Sequence, residues 1–250
     1  MAMPATMKGK GRLSDAKRCV LGVDGCRAGW AVVSINLYDN SVSGWIVPSF
    51  TEVLNLEKAA MMIVDMPIGL SDDSPRACET MARKLLSPLR HASVFSSPKR
   101  PMLSFTQYEE ANAWGKRHCG KGLSKQAWMI APKIREIDEV ITAADQARLG
   151  EGHPEIAFTR LNDAKPCTYP KRKPEGQAER RALLTRAGLS QAEDIYQSLR
   201  TGHGDKAIGR DDVYDAAALA LTAKARLEGK ALRLGDEARD ARGLVMEIWG

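Results

Sequence analysis

The chain has 250 residues, enough for one elaborated domain with a full hydrophobic core. Its 37 Lys and Arg residues outnumber the 31 Asp and Glu residues, and this modest positive excess fits a polyanionic partner without requiring one. No stretch approaches the roughly 18 uninterrupted apolar residues of a membrane span, and five cysteines without Cys-x-x-Cys spacing favour reduced thiols over disulfides or zinc ligands. We therefore expect a cytoplasmic protein that does not contact membranes, either a monomer or a homodimer.

The first quarter of the chain predicts strands after a polar start. Residues 1–18 are polar and basic and lack the apolar centre of a signal peptide, which predicts a disordered tail. Short apolar runs with turn-forming residues between them then predict strands at 19–24, 29–37 and 42–47. A helix with apolar residues at helical spacing follows at 50–60, and a fourth strand at 61–65 ends before a proline.

The remainder of the chain predicts mostly helices. They are expected near 75–86, 105–117, 133–146, 154–161, 177–187, 192–200 and 210–227. A short fifth strand is expected at 148–152, and 243–249 suits a last strand. The pattern indicates a single α/β domain over 19–250, with helical insertions at about 67–146 and 153–209.

Four aspartates stand at notable places in this pattern. Asp24 and Asp65 each end an apolar strand, and Asp212 and Asp215 lie three apart on one face of an Ala-rich helix. Carboxylates pressed against a protein core need neutralisation, which a hard divalent cation provides directly. Two of the four also have a simpler explanation, because Asp24 can start a turn and Asp65 can cap the exit of its strand. Their shared placement favours a metal site assembled by folding.

The element order resembles the ribonuclease-H-like fold, a mixed five-stranded sheet flanked by helices, with acids converging at one end of the sheet. The segment from Asp212 to Ala220 resembles the closing helix of the RuvC-type Holliday-junction resolvases, and Gly22-Val-Asp24-Gly resembles their first strand. More closely, the chain resembles the family known as domain of unknown function 429, whose members are predicted nucleases. The matching segments are GVDGCRAGW (22–30), VDMPIGL (64–70), SVFSSPKR (93–100), KIREID (133–138), EGHPE (151–155) and DDVYDA (211–216).

The resemblance implies a metal-dependent nuclease that hydrolyses phosphodiester bonds in DNA or RNA. Its implied catalytic residues are Asp24, Asp65, Asp212 and Asp215, with Glu155 or Glu151 as an additional acid. Two Mg²⁺ or Mn²⁺ ions, about 3.5–4 Å apart, would activate water and stabilise the leaving oxygen. In this arrangement Asp24 bridges the two ions, Asp65 and Asp215 each hold one, and Asp212 completes the shell.

Basic residues and one histidine are candidates for binding the substrate. His153 suits a general acid, a metal ligand or a phosphate contact, but it also suits a helix start where it satisfies free amides. Arg76 could reach a phosphate or pair with Glu79. The loop around Lys171 shows no evident carboxylate partner, so we expect it to bind polyanion rather than take part in the chemical step, although charge runs are usually solvated surface. The full set is Arg27, Arg76, Lys99, Arg100, His153, Lys171 and Lys173.

Three classes of function compete for this pattern. A metal-dependent nuclease is the first. The alternative is a non-catalytic ribonuclease-H-like protein that binds nucleic acid or a phosphorylated small ligand through the same acidic metal site. Actin-like ATPases and sugar kinases share the superfold, but they need two copies of it around a cleft, and 250 residues with one acidic set are too few.

Overall fold

The computed structural model describes residues 18–56 and 58–250, so residues 1–17 of the predicted tail lie outside the described part of the chain. Its main sheet has five strands in the order β3-β2-β1-β4-β5. The strands β1 to β3 are antiparallel, whereas β4 pairs parallel with both β1 and β5. The bounds are β1 Cys19–Cys26, β2 Gly29–Asn36, β3 Val42–Val47, β4 Ala59–Val64 and β5 Leu149–Glu151.

Helices cover both faces of this sheet. Three helices separate β4 from β5, and three more separate β5 from the long helix α8. The bounds are α1 Phe50–Leu54, α2 Ala77–Leu85, α3 Tyr108–Cys119, α4 Lys125–Val140, α5 Pro154–Leu161, α6 Pro174–Arg186, α7 Ala192–His203 and α8 Arg210–Leu227. The result is the α/β architecture with a mixed five-stranded sheet that the ribonuclease-H-like resemblance predicts. Within the described ranges, no helix is both long enough and apolar enough to cross a membrane.

Alternation of side chains along the strands builds two cores. On one face, Val20, Val33 and Ile35 pack with α8 and with residues of α5 to α7. On the other face, Leu21 and Val32 pack with residues of α1 and α4. Because successive side chains of a strand point to opposite faces, the apolar runs of β1 and β2 serve both cores at once.

The pairing of β1 with β4 fixes where the aspartates lie. In this parallel pair Val23 is in register with Val64, so Asp24, the next residue of β1, lies beside Asp65, which directly follows β4. Helix α8 crosses β1 at close range because Gly22 has no side chain. A Cβ at this position would overlap backbone atoms of Ala216 and Ala220. This close approach brings the start of α8 to the carboxyl end of β1.

Three predicted elements differ from the structure. Helix α1 ends at Leu54 rather than near residue 60, because Ala59 already pairs with Cys19 as the first residue of β4. Helix α4 begins at Lys125, eight residues before the predicted start, because Ser124 caps it through a bond from the Ala127 amide; it also ends at Val140 rather than Gln146.

The predicted last strand at 243–249 is much shorter in the structure. Only Ile248–Trp249 (β7) is extended in a ladder, and it pairs antiparallel with Arg233–Leu234 (β6) in a separate two-stranded sheet. A single bridge between Gly152 and Trp249 links it to the end of the main sheet.

Candidate metal centre

Three carboxylates converge at the carboxyl ends of the central strands. Asp24 lies near the end of β1, Asp65 follows β4 and Asp215 lies in the second turn of α8. One oxygen from each lies within 4.8 Å of the others. Asp24 and Asp215 are buried and Asp65 is partly exposed. We call these three residues the acidic triad, and their predicted convergence is confirmed.

Lys171 is the cation that contacts the triad in the structure. Its ammonium lies 2.5 Å from Asp215 Oδ2 and 3.6 Å from Asp211 Oδ2, on a side chain that is 36% exposed. The expectation that this lysine has no carboxylate partner is therefore wrong. The sequence could not show the pair, since 44 residues separate its members.

One ammonium does not compensate the triad. Burial and the neighbouring aspartates raise the pKa of Asp24 well above its ordinary value and the pKa of Asp65 to about 8. Burial also raises the pKa of Asp215, although Lys171 opposes the shift. The other oxygen of that carboxylate, Oδ1, is buried and accepts no hydrogen bond from any described residue. The triad thus cannot keep all three carboxylates ionised near neutral pH without a further cation.

Asp212 borders the triad but lies outside it. Its Oδ2 accepts a 2.8 Å bond from the Gly209 amide, so the carboxylate caps the start of α8. Burial raises its pKa to about 6, and repulsion from Asp211 and Asp215 adds to the shift. The structure therefore gives Asp212 a local role at the helix start, next to the three carboxylates that meet.

The triad and Asp212 line a cavity of about 580 Å³. This volume lies in the range of small-ligand sites, typically 300–1,000 Å³. Lys171, Arg172, His153 and Glu155 also line it. Because Asp24 and Asp215 are buried, a ligand reaches their carboxylates by entering this cavity.

A second charged cluster lines the same cavity. Arg76, which is only 2% exposed, donates to Glu151 Oε1 at 3.2 Å and to Glu79 Oε1 at 3.4 Å. It also donates to the Ile68 carbonyl at 3.0 Å, and the Ile68 amide donates back to Glu151 Oε2 at 2.8 Å. Arg76 thus forms the ion pair with Glu79 that the sequence left open as the alternative to phosphate binding. Glu151, the alternative additional acid, forms an ion pair with the same arginine.

Glu155 and His153 approach the triad from the start of α5. Glu155 Oε1 pairs with the buried Arg180 at 2.5 Å, while its Oε2 is buried and has no hydrogen-bond partner in the described part of the chain. His153 Nε2 lies 3.4 Å from the Ser93 carbonyl, and burial lowers the pKa of this imidazole. Each of these two side chains, both of which line the cavity, thus has one buried polar atom without a partner among the described residues: Glu155 Oε2 and His153 Nδ1.

The other predicted substrate contacts lie outside the cavity lining. Arg100 donates to Asp138 on α4 and to Asp240. The Lys99 ammonium contacts the Ser74 carbonyl. Arg27 is exposed in the turn between β1 and β2, and Lys173 is exposed at the start of α6. Phosphate contacts at these four residues stay a prediction.

The donor set fits a hard divalent cation. Carboxylate oxygens are the ligands that Mg²⁺, Mn²⁺ and Ca²⁺ prefer, and the triad offers three of them from three different elements. One Asp215 oxygen, Oδ1, is buried and lacks a protein donor among the described residues. The acidic cluster can therefore bind a metal ion.

Comparison with known protein families identifies the family of this chain. The model of the family described as "Protein of unknown function (DUF429)" matches residues 22–240, most of the chain. The chain belongs to this family. The matched range begins in β1 and includes the acidic triad and Lys171, so the candidate centre lies inside the shared domain. Neither a curated protein nor a solved structure matches the chain.

Proposed function

We propose that the protein is a cytoplasmic, metal-dependent nuclease that hydrolyses phosphodiester bonds in DNA or RNA. The observation that carries this proposal is the acidic triad, whose carboxylate oxygens lie within 4.8 Å of one another at the wall of a ligand-sized cavity. Buried carboxylates with raised pKa values are unfavourable for stability, which favours a functional explanation for them.

Each acid of the site has a role in this proposal. Asp24, Asp65 and Asp215 would together hold the Mg²⁺ or Mn²⁺ ions. Such ions supply an activated water and neutralise the charge that develops on the leaving oxygen. Asp212 holds the start of α8, and with it Asp215, in place through its bond to the Gly209 amide.

The cationic side of the cavity suits a phosphate. Lys171 reaches Asp215 with a long, flexible side chain, so its ammonium can turn to a phosphate when a metal ion compensates the carboxylate. Arg172 lines the same cavity beside it. His153 also lines the cavity, and its buried Nδ1 has no hydrogen-bond partner among the described residues.

A non-catalytic role is the second candidate, and the size of the cavity favours it. A cavity of about 580 Å³ is large enough to hold a phosphorylated small ligand or one nucleotide through a bound ion. The same residues would then bind without cleaving.

A cleavage screen separates the two candidates. Single-stranded, duplex, DNA–RNA hybrid and branched substrates are incubated with Mg²⁺ and Mn²⁺ supplied separately. The wild type and Glu139→Gln, which changes an exposed acid on α4, are expected to cleave at least one substrate. Chelation and Asp24→Asn should each abolish cleavage. If no substrate is cut although the ions bind, the non-catalytic alternative replaces the nuclease.

A further inference from the structure

Exposed apolar side chains gather at the cavity that holds the triad. Leu89, Phe95 and Met129 are 53%, 37% and 78% exposed, and all three line this cavity. We call them the apolar rim. They are three of the seven large hydrophobic residues found exposed in the described ranges, so their concentration at one opening calls for an explanation.

The protein holds the rim in place although the rim is not part of a core. Arg83 donates to the Val94 carbonyl at 2.8 Å and to Ser96 Oγ at 3.0 Å, which fixes the residues on both sides of Phe95. Arg90 donates to the Cys167 carbonyl at 2.8 Å and so ties the segment after Leu89 to the loop that carries Lys171. The Phe95 ring stacks on no other aromatic ring in the part of the chain that the structure describes.

Met129 faces this segment from helix α4. Its neighbours on the helix, Ala127 and Ala131, are buried, whereas Met129 is the most exposed of the three rim residues. A thioether adapts its shape to flat apolar partners and contacts aromatic rings favourably. The rim therefore offers an aromatic ring between two anchored residues, an adaptable methionine and the apolar side chain of Leu89.

The chemistry of the cavity changes from the opening inward. The rim is apolar and exposed, while two acids of the triad, Asp24 and Asp215, are buried, with Lys171 beside Asp215. A ligand that satisfies both parts carries a phosphate at one end and a flat apolar group at the other. A nucleotide has this form, with its base and phosphate joined by a sugar.

A base within a duplex does not meet these requirements. Its faces are covered by neighbouring base pairs, and the duplex presents sugars and phosphates outward. Aromatic side chains bind bases by stacking only when the bases are unpaired and accessible. The buried position of Asp24 and Asp215 adds to this restriction, because a phosphate must enter the cavity to reach them.

We propose that the apolar rim is a binding site for an unpaired nucleobase next to the phosphate at the triad, so that the substrate is single-stranded or has an unpaired nucleotide at the reacting position. Phe95 provides the stacking face, and Leu89 and Met129 enclose the base. The proposal rests on the proposed function, since it assumes that a nucleotide phosphate binds at the triad.

The test measures binding by fluorescence anisotropy with Ca²⁺, a hard cation that carboxylates also bind. The probes are a 12-nucleotide single strand, its blunt duplex and a nucleoside monophosphate as competitor. The proteins are the wild type, Phe95→Ala, Phe95→Trp and the control Met81→Ala, which truncates an exposed apolar residue outside the cavity lining.

We expect the wild type to bind the single strand more tightly than the duplex. Phe95→Ala should lose about 5- to 100-fold of the affinity for the single strand, in line with the contribution of one stacked base. Phe95→Trp should keep that affinity, and Met81→Ala should leave it unchanged. Equal binding of the single strand by Phe95→Ala and the wild type would overturn the proposal, as would an equal loss for the duplex.

Failure of the proposed function gives a different pattern. If neither polymer binds, the nuclease assignment fails, and the nucleoside monophosphate then decides the fate of the rim. Binding of the mononucleotide that Phe95→Ala weakens and Phe95→Trp retains supports the nucleobase site. The nucleobase site is rejected if the mononucleotide does not bind, or if Phe95→Ala binds it as tightly as the wild type does.

Discussion

Two buried clusters of charge line one cavity, and they are compensated in different ways. In the first, Arg76 lies between Glu79 and Glu151 and also donates to a backbone carbonyl. In the second, the acidic triad has Lys171 as its one contacting cation among the described residues. A planar guanidinium with several donors satisfies both of its carboxylates, whereas one ammonium contacts only Asp215 of the three.

The clusters differ in how far the protein's own cations offset their carboxylates. One guanidinium pairs with both carboxylates of the Arg76 cluster and joins α2 to β5, although Arg76 Nε has no partner among the described residues and burial raises the pKa of Glu151 to about 7. The triad has one contacting ammonium for three carboxylates, an unpaired Asp215 oxygen and raised pKa values. Because this leaves more carboxylate charge to offset, the triad is the cluster that can bind an external cation.

The largest expected effect comes from breaking the compensated cluster. Arg76→Met leaves Glu79 and Glu151 buried without their cation, and we expect the free energy of unfolding to fall by about 3–5 kcal/mol. Chemical denaturation followed by circular dichroism measures it. Arg200→Met, which breaks an exposed pair with Asp205, is the control and should have a much smaller effect. Similar losses in both variants would remove the distinction between the two clusters.

The next effect is the response of the triad to metal. At a free Mn²⁺ concentration about 100 times the dissociation constant, the wild type should gain about 2.7 kcal/mol, because the ion binds only the folded state. For a chain of this size the melting temperature should rise by about 5–10 °C. Arg76→Met variants that still fold should show the same rise. If the melting temperature of the wild type did not rise at any Mn²⁺ concentration, the triad would not be the cluster that binds a cation.

Removing one charge from the triad should stabilise the metal-free protein. Burial raises the pKa of Asp65 from 3.8 to about 8, so ionisation favours the unfolded state and the wild type loses stability as the pH rises through this range. Asp65→Asn should therefore be more stable at pH 7 by roughly 1–3 kcal/mol. Its free energy of unfolding should also vary less between pH 4 and pH 8. If the stability of Asp65→Asn varied with pH as that of the wild type does, the pKa of Asp65 would not be raised in the folded protein.

Lys171 and Lys173 allow a finer comparison within one loop. Lys171→Met removes the ammonium that competes for Asp215, so Mn²⁺ should bind roughly tenfold more tightly, about 1.4 kcal/mol. Lys173→Met, in the same loop but exposed, should leave the affinity unchanged. Calorimetric titration measures both. Weaker Mn²⁺ binding by Lys171→Met would mean that the lysine supports the ion instead of competing with it.

The smallest effect concerns salt. Lys173→Ala should reduce the slope of log affinity for nucleic acid against log salt concentration by about 1, because one phosphate contact is lost. The midpoint of unfolding should not change. An unaltered slope would assign Lys173 to the solvated surface.

Local patterns in the sequence were sufficient to predict much of the fold and the acidic site. Asp24, Asp65 and Asp215 were predictable because strand ends and a helix face are visible in short windows of sequence, and parallel pairing of β1 with β4 then brings two of them together. Helix α8 was also predictable from end to end. Its alanines allow the close contact with β1 that Gly22 completes.

Long-range pairing and competing local signals account for what could not be predicted. Arg76 meets Glu151 across 75 residues and Lys171 meets Asp215 across 44, and no local pattern reports such partners. The start of α4 was missed because Pro132, inside the helix, indicates a helix boundary. The short β6 and β7 have only two residues each, too few for a periodic signal.

Direct titration with Mn²⁺ tests the central claim that the triad is a metal site. Isothermal titration calorimetry is performed on the wild type, on the Asp24→Asn, Asp215→Asn double variant and on Glu139→Gln. We expect the wild type to bind two ions and Glu139→Gln to bind them as tightly as the wild type does. The double variant should fold but bind neither ion. Equal Mn²⁺ binding by the double variant and the wild type would contradict the account.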